Sequence, residues 1–349
     1  METNKMTMDN IEKNSLAKIN NRKIDSKNKF DISNFVYHNM AWIIFAILMV
    51  VFTCLSENFL TFRNLISILN QNAYVIVAAT GITFIMMSGA IDLSIGYQMA
   101  VNGIICSLLL TKYQWPVLLV ILVSIVIGCV LSLVNVILSI QLSLPQIFVS
   151  LGTMTIYQGI AYVISQSQTI SGFPKAFSYL GQGSVGPIPF AIVIMLIFFL
   201  IMSFILNRTY FGRYVFALGG NEEAARLAGI NVKKVRIMIA IIAGAFVGLA
   251  TMMLISRIGS TQASTGPGTE FTVLTGVLLG GVSIRGGEGK LSGVLAGILI
   301  LALLSNGMQL AGMGAYYQFI AKGVIMLAAL GFDVYQMNRR RRIKKVSKG

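Results

Sequence analysis

The sequence predicts an all-α, polytopic membrane protein of about ten transmembrane helices, some of them broken, with a short helix on the cytoplasmic side. Three observations carry this. First, 56% of the 349 residues are hydrophobic and only 11% are charged, whereas a soluble domain carries about a quarter charged residues. Too little polar surface remains to solvate a globule, so lipid is the solvent. Second, apolar runs approaching the roughly 20 residues that a spanning helix needs recur along the chain. Third, basic residues gather where an even number of spans leaves them on one side.

Ten segments emerge in order, some short or broken: about 40–56, 65–87, 93–111, 116–140, 146–165, 188–206, 233–256, 271–284, 291–310 and 316–333. They define a membrane domain over 40–335 between two tails. The tail 1–39 is polar and rich in Lys and Asn; it is expected to be disordered and cytoplasmic, with no small-residue cleavage site after it. The tail 336–349 is basic and cytoplasmic. Seven basic residues precede residue 40, seven follow residue 338, and six lie between Arg208 and Arg236. Counting spans from a cytoplasmic start puts Asn207–Val232 inside as well. The opposite loops carry single charges such as Glu57, Lys112, Lys175 and Arg257. The net charge of +15 is therefore read as topology in a multi-pass plasma membrane protein, and nucleic acid is not an expected partner. Cys54, Cys106 and Cys129 lie in apolar runs and read as small hydrophobes. With His38 the single histidine, neither a zinc hydrolase nor a haem protein is expected, and no metal or cofactor is.

Two glycine-rich stretches break the apolar pattern: Ser88–Gly96 and Gly280–Lys290. Their placement in two halves of the chain fits an internal repeat with broken helices near a transport route; two tight turns at the membrane edge, with glycine at positive φ, fit as well. Gly244 with Gly248, Gly276 with Gly280, and Gly293 with Gly297 have the spacing that lets helix backbones approach closely, within the subunit or between subunits. Ionisable groups near the apolar runs are few and expensive to bury. Asp92 is read as a cap of a broken helix or part of a gate, Glu270 as a cap. Lys322 either snorkels or pairs with a carboxylate. Gln71, Asn72, Asn102, Asn135, Thr153, Tyr157, Gln158, Asn306 and Gln309 sit in apolar runs and serve either interhelical hydrogen bonds or a polar substrate.

The most informative segment lies in the longest cytoplasmic loop. Gly219 and Gly220 stop the preceding structure, Asn221 suits an N-cap, and Glu222 and Glu223 suit the positive end of a helix dipole. Ala224, Ala225, Arg226, Leu227 and Ala228 are helix formers, and Gly229 suits the position just past the end. A helix of about seven residues is marginal in water, so it docks on something: its own protein, or a partner whose groove admits a small alanine face.

Glu223–Gly229 also resembles the E-A-A-x-x-x-G core of the cytoplasmic loop of ABC importer permeases. Together with Phe211–Arg213, Ala217–Ile230, Asp92–Gly96, Leu151–Thr155, Leu279–Lys290 and Tyr316–Lys322, in that collinear arrangement over about residues 40–335, it closely resembles the ribose/arabinose/galactose-type permeases. A Leu-Pro pair found after this loop in other importer classes is absent after Gly229. The resemblance implies that residues 221–229 form a coupling helix seated in an ATP-binding cassette ATPase subunit. It also implies an extracytoplasmic sugar-binding protein and a second permease subunit, identical or paralogous. A translocation path or gate is expected among Asp92, Ser94, Gly96, Asn72, Asn102, Thr153, Gln158 and Asn306. Gly286–Lys290 imitates a phosphate-binding loop but fails its pattern, with Ile284 in place of the first glycine and Leu291 after the lysine; no catalytic constellation supports an enzyme. The expected function is the membrane-spanning subunit of an importer for a small sugar. Permeases of the same superfamily for a furanose autoinducer, a nucleoside or a branched-chain amino acid remain open, as does an ion-coupled secondary transporter.

Overall fold

The computed structural model describes residues 40–346; the expected tail 1–39 and the end of the 336–349 tail lie outside the described residues. Helices follow in the order α1 (Met40–Leu55), α2 (Phe62–Met87), α3 (Ile95–Thr111), α4 (Val117–Leu142), α5 (Gln146–Ser165), α6 (Lys175–Gln182), α7 (Phe190–Arg208), α8 (Tyr210–Gly220), α9 (Glu222–Leu227), α10 (Val232–Ile258), α11 (Thr269–Leu279), α12 (Leu291–Leu310) and α13 (Ala315–Val346). Six of them, α2, α4, α5, α7, α10 and α12, are long and apolar enough to cross a membrane. Helices α1, α3, α11 and the Ala315–Gly331 part of α13 are shorter apolar helices. One apolar helix thus answers to each of the ten segments.

Two boundaries depart from expectation. The eighth segment, 271–284, forms only α11 and stops at Leu279. There Gly281, at φ +81°, donates its N–H to Leu278 O and Val282 donates to Val277 O, the paired bonds that close a helix on a left-handed residue. The last helix runs on to Val346, through the point where the basic tail was expected to begin, because Gln, Arg and Lys are good helix formers whatever their charge. Helix α6 and four two-residue strands went unread; β1 (Ile170–Ser171) pairs antiparallel with β4 (Ser260–Thr261), and β2 (Ser184–Val185) with β3 (Ile188–Pro189).

Helix α10 occupies the centre, packed against α2, α4 and α6. Its contact with α4 is backbone to backbone. A Cβ on Gly128 would strike Gly244 O, and one on Gly248 would stand 2.9 Å from Ile125 Cα; Ser124 Oγ donates to Gly248 O at 2.9 Å. Gly276 on α11 and Gly280 just past its end meet Gly293 and Gly297 on α12 in the same way. All three predicted close-approach spacings are used inside this chain. The outer faces of α4, α5 and α7 stay bare and apolar, with Leu118, Phe148, Val163 and Phe204 exposed, a surface that suits acyl chains and not water.

Candidate functional site

The two glycine-rich interruptions lie against each other. Gly287 donates its N–H to Met87 O at 2.8 Å, and a Cβ on Gly286 would stand 2.7 Å from Gly89 Cα. Gly89, Gly286 and Gly287 take φ values of +83°, +79° and +75°, the positive φ expected of glycine in tight turns. The end of α8 closes this junction. Gly219 packs so closely on Met87 O and Gly287 N that no side chain fits, whereas a Cβ on the next residue, Gly220, would meet nothing within 4 Å. Helix α8 also rests Phe211 on Phe84 of α2, ring centroids 6.0 Å apart.

Helix α9 leaves directly from that junction. Its formation follows its sequence: Asn221 Oδ1 accepts from Ala224 N at 2.9 Å. At the other end Gly229, at φ +84°, donates to Arg226 O while Ile230 donates to Ala225 O. The helix is six residues long, one short of expectation, because Ala228 is already its cap. Only Ala225 is buried; Glu223, Ala224, Arg226 and Ala228 are exposed, and Leu227 is 85% exposed. Glu222 ties α9 to α10 through Arg236 (2.6 Å) and to its own next turn through Arg226 (3.4 Å). A groove of about 970 Å³ opens between α9, the Gly89–Ile91 turn and the α4–α5 connection, with Arg226 and Arg236 on its wall.

The start of α3 holds a buried carboxylate. Asp92 is 1% exposed, and its Oδ1 accepts from Ser94 N (2.8 Å) and Ser94 Oγ (2.6 Å). Its Oδ2 accepts from Gln98 Nε2 (3.2 Å) and Asn135 Nδ2 (2.9 Å). Both amides also donate to Ser94 Oγ at 2.8 Å. Four donors therefore satisfy the carboxylate without a cation, as a buried charge requires. Asn135 ties this knot to α4, and Ser150 Oγ, accepting from Leu93 N at 3.1 Å, ties it to α5. Gly96 follows, and its missing side chain admits Glu270 and Gly266–Pro267. Glu270, 2% exposed, accepts from Gly268 N at 2.9 Å, so it caps α11 as expected. The starts of α3 and α11 thus abut.

Of the eight expected path residues, Asp92, Ser94 and Gly96 share this one locus. The others disperse. Asn72 donates to Ile68 O on its own helix, and Thr153 donates to Ser150 O on its own. Asn102 donates to Ser124 O on α4, and Asn306 exchanges amide hydrogen bonds with Asn64 at 2.9 Å each way. Gln158 is half-buried on α5. Two contributors went unread, Gln98 and the pairing of Arg257 with Tyr74; a lone Gln six residues after Asp92 was the available signal for the first.

A bundle of apolar helices with interrupted segments, close glycine seams and a buried polar knot defines a polytopic helical membrane protein. The chain belongs to the family described as the permease component of the branched-chain amino acid transport system, which matches residues 64–330. It is similar to the ribose import permease protein RbsC of Haemophilus influenzae, 34% identical over 310 residues, covering 88% of this chain and 96% of that protein. It is 35% identical to RbsC of Bacillus subtilis over 289 residues, covering 82% and 89%. It is 33% identical over 301 residues to the L-arabinose ABC transporter permease protein AraH of Azospirillum brasilense, covering 86% and 88%. No solved structure matches the chain.

Proposed function

We propose that this chain is the membrane-spanning subunit of an ATP-driven importer for a small sugar of the ribose or arabinose type. A separate ATP-binding cassette subunit powers it, an extracytoplasmic binding protein feeds it, and a second permease subunit completes it. The reading places both termini and α9 in the cytoplasm and counts ten spans. The observation that carries it is α9 itself: a capped six-residue helix with one buried side chain and an 85% exposed leucine, rooted where both chain interruptions meet. A short helix standing off a bundle in this way gains little from its own protein, and its small, half-apolar face suits a groove on a partner. The relatives named for ribose and arabinose transport support the substrate class. The subunit performs no covalent chemistry. Closure of the ATPase pair on ATP pushes α9, and α8 passes the displacement to the 88–94 and 280–290 turns, hence to α3 and α12. Replacing Glu223 and Gly229 together, as Glu223→Ala with Gly229→Val, is expected to abolish uptake while insertion stays at the wild-type level. Normal uptake by that variant refutes the coupling role.

A further inference from the structure

At the Ile258 end of α10, away from α9, lies a second cavity of about 390 Å³. Its walls are Tyr74 of α2, Leu254 and Arg257 of α10, Thr169 before β1, and the 260–269 segment with Gln262 and Ser264. The volume falls within the range of small-molecule sites. Arg257 is the single charged residue on its wall. Its guanidinium lies over the Tyr74 ring, 5.6 Å from the centroid, a stacking that fixes the fork in place. Its Nε is buried and has no hydrogen-bond partner among the described residues, and no carboxylate there lies within ion-pair distance of it. A buried donor left so is costly, and Arg257 meets no carboxylate on the cavity wall that would neutralise it. Around it stand Thr169, Ser260, Ser264, Thr265 and Thr269, hydroxyls that both donate and accept. Gln262 is set by its bonds to Thr169 and Thr265.

We propose that this cavity is a binding site for one neutral monosaccharide, with Arg257 and Gln262 hydrogen-bonding its hydroxyls. Such a molecule offers acceptors to a fixed guanidinium and alternating donors and acceptors to the surrounding hydroxyls. A carboxylate ligand is an acceptor only and would leave the acceptor side of those hydroxyls unused, whereas each sugar hydroxyl both donates and accepts. The cavity sits directly above the contact of Gly266 and Pro267 with Gly96, so a sugar held here stands at the abutting starts of α3 and α11.

The inference rests on the proposed transport of a sugar, and one experiment separates the two. The full importer, with its ATPase and binding protein, is reconstituted in proteoliposomes, and ATP-driven uptake of ribose, arabinose and leucine is measured per inserted complex. Arg257→Lys keeps the charge but loses the planar fork; Gln262→Ala truncates an exposed side chain between the buried Thr261 and Ala263. Each is expected to lower sugar uptake at least tenfold and to change the ribose-to-arabinose rate ratio at least threefold, which a general packing defect would not do. Sugar uptake at wild-type rate and ratio in both variants overturns the cavity proposal and leaves the transport reading standing. Wild-type complex that carries leucine but neither sugar overturns the transport reading, and the monosaccharide site with it.

Discussion

Gly219 and Gly220 are neighbours at the end of α8, and the same substitution is expected to act oppositely at the two. In Gly219→Ala the new Cβ collides with Met87 O and Gly287 N, both backbone atoms that no rotamer change can move aside. Overpacking of this kind costs about 1–3 kcal/mol. Parting the 2.8 Å bond from Gly287 N to Met87 O adds about 0.5–1.5 kcal/mol. Alanine returns about 0.5–1 kcal/mol through helix propensity, which leaves a net cost between about 0.5 and 4 kcal/mol, about 2 kcal/mol at mid-range, on the docking of α8 against the two turns. At 1.4 kcal/mol per factor of ten, that mid-range cost lowers the population of seated α8 roughly thirtyfold. In Gly220→Ala the Cβ meets nothing within 4 Å, so only the propensity gain remains and the junction tightens by about 0.5 kcal/mol. The assay is sugar uptake and ATP hydrolysis measured side by side in the reconstituted importer. Gly219→Ala is expected to hydrolyse ATP with sugar uptake reduced at least tenfold, and Gly220→Ala to match the wild type. Equal damage from the two substitutions, or normal uptake with alanine at 219, refutes the role of this junction.

Two further substitutions test the scaffold around it. Asp92→Asn turns one carboxylate acceptor into a donor facing either Ser94 or the amides of Gln98 and Asn135, which orphans buried hydrogens at about 1–3 kcal/mol each; a loss of roughly 2–4 kcal/mol is expected in unfolding followed in detergent, and a variant as stable as the wild type refutes the hydrogen-bonded knot. Gly128→Ala drives a methyl into Gly244 O and is expected to lower stability by about 1–3 kcal/mol, while Gly159→Ala on α5, whose Cβ would find open space, keeps only the propensity gain of about 0.5–1 kcal/mol; thermal melting of the two variants checks the pair.

Much of this was legible because lipid imposes a simple grammar. Ten apolar runs became ten apolar helices, since a backbone in hydrocarbon has few ways to satisfy its polar groups. Helix α9 was legible for a different reason: Asn221 and Gly229 carry local signals that need no tertiary context, and their capping bonds form within the nine residues 221–229. Helix α6 was not legible. Its buried Phe177 and Leu180 and the bond from Gly181 N to Ser256 Oγ depend on α10, about 75 residues later, and its eight residues are too few to show a period. The inward course of the segment before α11 escaped for the same reason. Nothing in residues 259–268 announces that they turn inward to touch Gly96; only the lack of a Cβ there allows it. Among the eight expected path residues, composition could identify polar groups in apolar runs but not which of them spend those groups on their own helix, as Asn72 and Thr153 do.

The position of α11 connects these observations. One end of this helix abuts Gly96 and the wall of the smaller cavity; the other passes through Gly280 into the turn that holds Gly287 against Met87 and Gly219. Its eleven residues span about 16 Å at 1.5 Å per residue, and its glycine seam with α12 leaves no slack for sliding, because Gly293 and Gly297 already touch Gly280 and Gly276 backbone atoms. A helix gripped along one face and anchored at both ends moves as a rod. On the proposed coupling role, α11 offers a displacement from α8 a stiff route to the start of α3, whereas a path through the side chains of Asn72, Asn102 or Asn306 would have to break hydrogen bonds already made. The glycines at the two turns serve the same economy: they let backbones meet directly, and a backbone contact transmits a push that a rotamer would absorb.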